Sequence, residues 1–284
     1  MSVDQQSINN ALDELPPLRA VIAQHDLIAT KALGQNFLLD QNITDKIARQ
    51  AGDVSDTNVF EIGPGPGGLT RSLLRAGAKK VIAVEFDDRA VNALQSLKEA
   101  AQGRLDVIKG DALETNLLDL AEGKKAIVAN LPYNVATPLL VGWLKQIRSD
   151  KNAFDKMVLM FQKEVAQRIT APENTKNYGR LGVLSQWLCH ANIAFDLPPS
   201  VFSPPPKVTS SVVYLKPKDI GENDPDFKSV EKTTEAGFGK RRKMIRQSMK
   251  DLMPYFDKLG LIETARAETL SVQNFIDLAK KIDS

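Results

Sequence analysis

Cysteine and histidine are scarce in this chain of 284 residues, which has one cysteine, Cys189, and two histidines, His25 and His190. A lone cysteine excludes internal disulfides and any multi-cysteine zinc site. Two histidines far apart in the sequence make metal coordination and Ser-His catalysis unfavourable hypotheses. We therefore expect the protein to work without a metal ion.

Long hydrophobic runs are missing as well. A membrane-spanning helix needs about 20 consecutive apolar residues, and here the apolar runs are soon broken by Lys, Gly or Pro. The N-terminal stretch MSVDQQSINNALDELPP has early acids and no basic leader before an apolar segment, which argues against a signal or transit peptide. We expect a cytoplasmic protein with no membrane partner.

An excess of charge of one sign is also absent, since 37 basic and 35 acidic residues give a net charge of +2. Total charge therefore gives no reason to expect a nucleic-acid partner. The stretch at 237–250 nevertheless has six basic residues and no acid. On composition, a solvated helix face and a phosphate-contacting surface are equally open there. The basic residues are Lys240, Arg241, Arg242, Lys243, Arg246 and Lys250.

Apolar runs alternate with helical patterns along most of the chain. The length allows one large domain and one small one, and strand and helix in turn predict an α/β fold with a mostly parallel sheet. Helices are predicted at 40–51, with Asp40 as N-cap, at 88–101 and at 182–190. Strands are predicted at 58–62, 80–85, 105–109, 125–130 and 156–162, with a closing antiparallel strand at 208–215.

A polar segment at 216–226, interrupted by Pro and Gly, is typical of a linker. The sequence after it shows helical spacing and no strand signal. We therefore predict a main α/β domain at 31–216 and a small all-helical C-terminal domain at 217–284. The N-terminal extension at 1–30 is assigned no role.

A glycine-rich loop, EIGPGPGG at 61–68, follows the first predicted strand of the sheet. Gly63, Gly65 and Gly68 match the spacing of dinucleotide-binding loops. The prolines between them have no N–H to offer a pyrophosphate, and the carboxylate of Glu61 would repel a phosphate and attract an ammonium or sulfonium group. The loop therefore favours S-adenosylmethionine, which carries both cations, over NAD.

Two more acids follow the next predicted strands. Glu85 lies 22 residues after Gly63, the usual distance for a carboxylate that binds ribose hydroxyls. Asp111, after the third strand, is placed to accept a hydrogen bond from the adenine amine of the cofactor. Taken alone, Asp111 is equally well interpreted as a helix cap.

The fourth predicted strand ends in ANLPYN, a motif suited to methylating an adenine amine. That amine is a poor nucleophile because its lone pair is delocalised into the ring, and acceptors that hold its two protons favour a tetrahedral nitrogen. Asn130 can supply a side-chain oxygen and the Leu131-Pro132 turn a main-chain carbonyl. Tyr133 offers a ring on which the base can stack. A strong base is not needed.

Eight motifs occur in order along the chain: GQNFL (34–38), EIGPGPGGLT (61–70), VEFD (84–87), GDAL (110–113), NLPYN (130–134), QKEVAQR (162–168), YGRL (178–181) and VFSPPPKVTS (201–210). Together they resemble the bacterial small-subunit ribosomal RNA adenine dimethyltransferases, whose loss gives kasugamycin resistance. The resemblance runs from about residue 31 to the C-terminus. It implies a Rossmann-like S-adenosylmethionine-dependent domain and transfer of four methyl groups to two neighbouring adenosines near the 3′ end of 16S rRNA. The implied substrate is an assembling 30S particle, with room for a role in small-subunit biogenesis. We expect the protein to be a monomer.

The resemblance also implies roles for individual residues. Phe202 corresponds to a second aromatic that sandwiches the target base opposite Tyr133, although a Phe beside Val201 is more often a core residue. The stretch at 237–249 resembles a basic helix that contacts RNA. The implied cofactor contacts are Asn36, Leu38, Gly63, Glu85, Asp111 and Asn130, beside Glu61 and Gly65 of the loop.

Three other classes of protein stay open. A dehydrogenase is favoured only by the glycine spacing and leaves NLPY unexplained. A DNA adenine or 23S rRNA adenine methyltransferase shares the cofactor loop, but the helical C-terminal domain and VFSPPPKV favour the small-subunit enzyme. A non-catalytic assembly or transcription factor of this fold would not need Asn130 and Glu85.

Overall fold

The computed structural model describes residues 4–27, 35–221, 223–240 and 242–283. Its strands are β1 (Phe37–Leu38), β2 (Asn58–Ile62), β3 (Lys80–Glu85), β4 (Leu105–Lys109), β5 (Lys125–Asn130), β6 (Lys156–Gln162), β7 (Cys189–Leu197), β8 (Phe202–Ser203) and β9 (Ser210–Pro217). Its helices are α1 (Gln5–Asp13), α2 (Leu18–Gln24), α3 (Gln41–Arg49), α4 (Gly68–Arg75), α5 (Asp88–Ala93), α6 (Gln95–Ala100), α7 (Ala136–Ser149), α8 (Lys163–Ile169), α9 (Arg180–Leu188), α10 (Phe227–Phe238), α11 (Ile245–Ser248) and α12 (Val272–Asp283). Within these ranges, no helix has both the length and the apolar character needed to cross a membrane.

A seven-stranded sheet has the strand order β4-β3-β2-β5-β6-β9-β7. β2 to β6 pair in parallel, and β9 pairs antiparallel with β6. The predicted α/β class with a mostly parallel sheet is therefore confirmed, and β2 to β6 have the predicted bounds. A second, two-stranded sheet joins β1 to β8. The sequence did not indicate this pairing because each strand is only two residues long.

The helix predicted at 40–51 forms with its predicted N-cap, and the helix predicted at 88–101 forms with a local difference. α3 begins after Asp40, whose side chain accepts a hydrogen bond from the main-chain N–H of Asn42 over 2.9 Å. The single helix predicted at 88–101 is divided at Leu94, whose ψ of −4° departs from the helical value of about −42°.

The segment at 182–197 corrects a prediction. α9 ends at Leu188, and Cys189 and His190 begin β7 instead of ending a helix. Cys189 is buried and His190 is exposed. β7 lies at one end of the sheet, so it is paired along one side only and is partly exposed. The prediction was wrong because the first apolar residues of β7 continue the apolar pattern of the preceding helix.

The N-terminal segment packs against the helices that follow β2 and β3. α1 buries Ile8 and Leu12 and contacts α4 and α6. The guanidinium of Arg71 in α4 donates to the main-chain oxygen of Pro16 over 2.9 Å. Residues 4–27 are therefore part of the folded body that carries the glycine-rich loop.

Contacts divide the chain into two compact units. The first consists of Met1–Leu140, Asn152–Lys163 and Ile193–Leu215, and the second of Val141–Lys151, Glu164–Asn192 and Lys216–Ser284. The second unit includes α8 and α9 besides the residues that follow the sheet. The domain bounds drawn from the sequence stay a prediction.

After residue 217, the described part of the second unit contains the helices α10, α11 and α12 around an apolar core. The rings of Phe238 and Phe275 stack with their centroids 5.3 Å apart. Tyr178 meets Phe238 edge to face at 5.8 Å. These aromatic contacts anchor α10 and α12 in the core of the unit.

Candidate active site

A cavity of about 250 Å³ opens in the first unit at the carboxyl ends of β2, β3 and β5. Because the carboxyl ends of parallel strands meet at one edge of the sheet, residues far apart in the sequence converge there. The structure brings together all the predicted cofactor residues and the whole NLPY motif. The predicted residues that line the cavity are Asn36, Leu38, Glu61, Gly63, Gly65, Glu85, Asp111, Asn130, Leu131, Pro132 and Tyr133.

The glycine-rich loop packs directly against β1. At Gly65, with φ of 54°, a Cβ would lie 2.7 Å from a ring carbon of Phe37. At Gly68, a Cβ would lie 2.7 Å from the main-chain oxygen of Leu38. Larger residues at these two positions would push the loop away from β1 and open the wall of the cavity.

Three N–H groups of the loop are already used inside the protein. Those of Gly63 and Gly67 donate to main-chain carbonyls, and that of Gly65 donates to the carboxylate of Glu85 over 3.2 Å. A pyrophosphate needs free N–H donors at this turn. These three N–H groups are therefore not available to a phosphate, in agreement with the preference for a cation.

Glu85 is 5% exposed and binds three N–H groups, because those of Phe86 and Asp87 donate to its other oxygen over 2.8 and 2.9 Å. Burial raises its pKa, and the three hydrogen bonds oppose that shift. A carboxylate has about four acceptor sites, so Glu85 retains capacity for a hydroxyl donor from the cavity.

Glu61 is 2% exposed, and the hydroxyl of Thr70 donates to it over 2.6 Å. Burial raises its pKa from 4.5 to about 8, and the charge of Glu85 adds to the shift. Among the described residues no ion pair joins Glu61 to a cation. A cationic ligand in the cavity would supply the missing positive charge.

Asp111 is half-buried at the cavity wall, and its carboxylate accepts a hydrogen bond from the N–H of Leu113 over 2.9 Å. It thus stabilises the turn after β4 and also faces the cavity. The interpretation of Asp111 as a helix cap is wrong, because a turn and not a helix follows it. The adenine contact stays a prediction.

Asn130 ends β5, and its amide nitrogen donates to the main-chain oxygen of Asn36 over 2.9 Å. This bond fixes which way the amide points, because the nitrogen is held and the oxygen is left as the acceptor. The segment before β1 therefore orients the side chain on which the predicted chemistry depends.

The two predicted base-stacking rings are placed differently. Tyr133 is half-buried at the cavity, its hydroxyl lies 2.5 Å from that of Ser210, and burial raises the pKa of the phenol. Phe202 is 4% exposed, pairs with Leu38 in the β1–β8 sheet and packs in the core. It is not part of the cavity wall. Its role opposite Tyr133 stays a prediction, which requires the ring to leave this packing.

Comparison with known proteins decides the family. The model of the family described as ribosomal RNA adenine dimethylase matches residues 28–284. The chain belongs to this family. It is 52% identical over 280 residues to the ribosomal RNA small subunit methyltransferase A of Mesorhizobium japonicum, covering 96% of this chain and all of that protein.

Solved structures agree with this assignment of a dimethylase. A dimethyladenosine transferase from Plasmodium falciparum has a TM-score of 0.73 and 27% identity, over 86% of this chain and 96% of that one. The 23S rRNA methyltransferase ErmE has a TM-score of 0.65 and 23% identity, over 88% and 100%, and shares the fold. The chain is therefore an S-adenosylmethionine-dependent rRNA adenine dimethyltransferase.

The residues of the cavity fit the cofactor of this dimethylase: within the described part of the chain Glu61 is a buried acid with no ion-pair partner, and Glu85 retains acceptor capacity. Sequence reasoning missed two aromatic residues of the wall, Phe37 and Phe86. Phe86 is 62% exposed, and its flat apolar face suits the adenine of the cofactor. The sequence signal that could have indicated Phe86 is its position directly after Glu85 in the VEFD motif.

The basic stretch of the dimethylase forms mainly a turn. Lys240, Arg242 and Lys243 are exposed between α10 and α11, and Arg246 is exposed on the one-turn helix α11. Arg241 lies outside the described residues. The basic helix implied by the resemblance is thus corrected, since α10 ends at Phe238. Within the described ranges, no carboxylate forms an ion pair with these four residues.

We expect the affinity of the dimethylase for S-adenosylmethionine to rise with pH up to about 8, the pKa of Glu61. Only the ionised carboxylate attracts a cation, and a nearby cation lowers the pKa of a carboxyl group. Binding below pH 8 therefore releases a proton, and the Kd falls by at most about tenfold per pH unit. Titration calorimetry in buffers of different ionisation enthalpy measures the proton release.

The control is Glu61→Gln, which keeps the size of the side chain and leaves the titration of the cofactor unchanged. Its Kd should vary less with pH than that of the wild type. Because the folded pKa of Glu61 lies above its usual 4.5, the wild type without cofactor loses stability as the pH rises from 4.5 to 8. The Tm advantage of the variant should grow across that range. Identical pH dependence of both proteins would contradict this role.

Proposed function

We propose that this dimethyltransferase acts on 16S rRNA, converting two adjacent adenosines of the 3′-terminal hairpin to their N6-dimethyl forms. One observation carries this choice of RNA: a relative named ribosomal RNA small subunit methyltransferase A is similar over its whole length, with 52% identity. The proposed substrate is the 30S subunit or its precursor in the cytoplasm, and the proposed enzyme is a monomer with a role in small-subunit biogenesis.

The cofactor end of the cavity is built from the glycine-rich loop and two carboxylates. We assign Glu61 to the cationic end, Glu85 to the ribose hydroxyls and Asp111 to the adenine amine, with Asn36, Leu38, Gly63 and Gly65 completing the wall. When bound, S-adenosylmethionine supplies an electrophilic methyl group.

The substrate end is built from the NLPY motif. The oxygen of Asn130 and the main-chain carbonyl of Leu131 accept the two protons of the target amine, which frees its lone pair for attack. Pro132 keeps the turn rigid, and Tyr133 stacks on the base. After attack the nitrogen is positively charged and acidic, so its proton passes to water without a side-chain base. Catalysis is then mainly positioning.

The RNA is read through its shape and through exposed bases. The target adenosine must leave its stack, at a cost of a few kcal/mol. Stacking on Tyr133 offsets about 1 to 3 kcal/mol of this cost, and contacts with the RNA phosphates offset the remainder. We assign these contacts to Lys240, Arg242 and Lys243 of the basic turn, to Arg246 of α11 and, from the sequence alone, to Arg241.

The direct test uses 30S particles from a strain that lacks this modification. The particles are incubated with the protein and labelled S-adenosylmethionine, and 16S rRNA fragments are examined by mass spectrometry. We expect a gain of four methyl groups on one fragment from the 3′ end. Methylation of 23S rRNA or DNA in place of 16S rRNA would contradict the proposal.

For the basic turn, we expect replacement of Arg242 and Lys243 by Ala to flatten the salt dependence of particle binding. Each lost phosphate contact reduces the slope of log K against log salt by about 0.7 to 0.9. Filter binding between low and physiological salt measures the slope. The matched control is Lys228→Ala with Lys232→Ala, which removes two exposed charges from α10. Equal slopes for both double variants would show that the basic turn is a solvated surface that does not contact phosphates.

A further inference from the structure

One hydrogen bond links the NLPY motif to the last strand of the sheet. The hydroxyl oxygens of Tyr133 and Ser210 lie 2.5 Å apart, although the residues are 77 positions apart in the sequence. Tyr133 contributes to the cavity wall and Ser210 does not. Ser210 is therefore linked to the cavity wall through Tyr133.

The antiparallel direction of β9 explains this contact. β9 begins at Ser210, which pairs with Gln162, the last residue of β6. The first residue of β9 therefore lies at the sheet edge where β5 ends and the NLPY motif begins. β6 separates β5 from β9, a distance of about 10 Å. A tyrosine side chain that reaches across β6 brings its hydroxyl to Ser210.

Ser210 is a rigid anchor. It is fully buried, its strand is paired with β6, and the preceding residue, Thr209, accepts a hydrogen bond from the N–H of Lys163 over 2.9 Å. The position of its hydroxyl is thus set by the sheet. A tyrosine ring has two rotatable side-chain torsions, and a hydrogen bond at its far end restrains both.

We propose that Ser210 is a positioning residue for methyl transfer: its hydroxyl holds the ring of Tyr133 at the angle at which the target adenine stacks. This inference rests on the proposed stacking role of Tyr133. Stacking alone requires an aromatic ring, which phenylalanine would also provide. The hydroxyl is needed because the amine must be held within a narrow distance and angle of the methyl group, and loss of that alignment slows transfer.

Ser211 provides a matched control on the same strand. It is also fully buried, and its hydroxyl donates to Asp196 over 2.6 Å. Successive residues of a strand point to opposite faces of the sheet, so Ser211 is directed away from Tyr133. Ser210→Ala and Ser211→Ala each delete one buried hydroxyl that forms a hydrogen bond. The two deleted hydroxyls lie on opposite faces of the sheet.

The test compares Ser210→Ala, Tyr133→Phe, the double variant and Ser211→Ala in single-turnover methylation of undermethylated 30S particles. We expect Ser210→Ala and Tyr133→Phe each to slow transfer by about tenfold, with an unchanged Kd for S-adenosylmethionine. The double variant should be no slower than the slower single variant, because both changes break the same bond. Ser211→Ala should transfer methyl groups at the wild-type rate.

A second readout does not depend on methyl transfer. In a short RNA, 2-aminopurine at the target position gains fluorescence when it leaves the RNA stack, and stacking on Tyr133 quenches that gain. The quenching should be weaker for Ser210→Ala and Tyr133→Phe than for the wild type and Ser211→Ala.

Multiplicative rate losses in the double variant, or equal losses in Ser210→Ala and Ser211→Ala, would overturn the positioning role. Quenching that is identical in wild type and Ser210→Ala would overturn it as well. A wild type that methylates no 30S particle would instead refute the proposed function, and the quenching series would still decide the role of Ser210.

Discussion

Asn130→Ala should lower the single-turnover rate of methylation by about 100- to 1000-fold, the usual effect of removing one preorganised hydrogen-bonding group from an active site. The variant loses the oxygen that accepts a proton of the target amine. It also loses the nitrogen that donates to the main-chain oxygen of Asn36. We expect the Kd for S-adenosylmethionine, measured by calorimetry, to change by less than about tenfold, the effect of one neutral hydrogen bond.

Asn130→Asp separates the two functions of the amide. It keeps acceptor oxygens for the amine but places a carboxylate against the oxygen of Asn36, so the side chain should be misoriented and the rate intermediate. Asn92→Ala, at an exposed position of α5, should transfer methyl groups at the wild-type rate. A rate for Asn130→Ala within threefold of the wild type would contradict the assigned role, and so would a loss of cofactor affinity as large as the loss of rate.

The parallel strands were predictable because each is a short apolar run with a clear end. β2, β3, β5 and β6 are almost fully buried, and β4, at one end of the sheet, is partly exposed. Polar or glycine residues that bound each run mark where the strand stops. The same boundaries place Glu61, Glu85 and Asn130 at the sheet edge. A site assembled at strand ends is therefore visible in the sequence, since its residues are tied to local patterns.

Contacts made by long-range packing were not predictable in this way. Nothing local to Phe202 shows that it pairs with Leu38, and nothing local to Ser210 shows that it reaches Tyr133, because both contacts depend on the order of strands in the sheets. The basic stretch was misassigned as a helix for a related reason. Its charge pattern fits a helix face, but α10 ends before it and the chain turns.

Glu85→Ala should raise the Kd for S-adenosylmethionine by about 10- to 100-fold, because hydrogen bonds to a charged acceptor contribute about 1.5 to 3 kcal/mol. The carboxylate also holds the N–H of Gly65, so its loss loosens the glycine-rich loop as well as the ribose contact. Calorimetry with S-adenosylhomocysteine, which is not consumed, measures the change. Asp88→Ala is the control, since it removes an exposed carboxylate three residues away.

A ligand that lacks one hydroxyl distinguishes the ribose contact from the loop contact. Wild-type protein should bind 2′-deoxy-S-adenosylhomocysteine more weakly than S-adenosylhomocysteine, because a buried acceptor then loses its donor. Glu85→Ala should bind the two ligands equally, since the acceptor is gone. If the variant discriminates between them as strongly as the wild type, Glu85 acts only by holding the loop, and the ribose must be bound by other residues. Equal discrimination with an unchanged Kd would remove Glu85 from the cofactor site altogether.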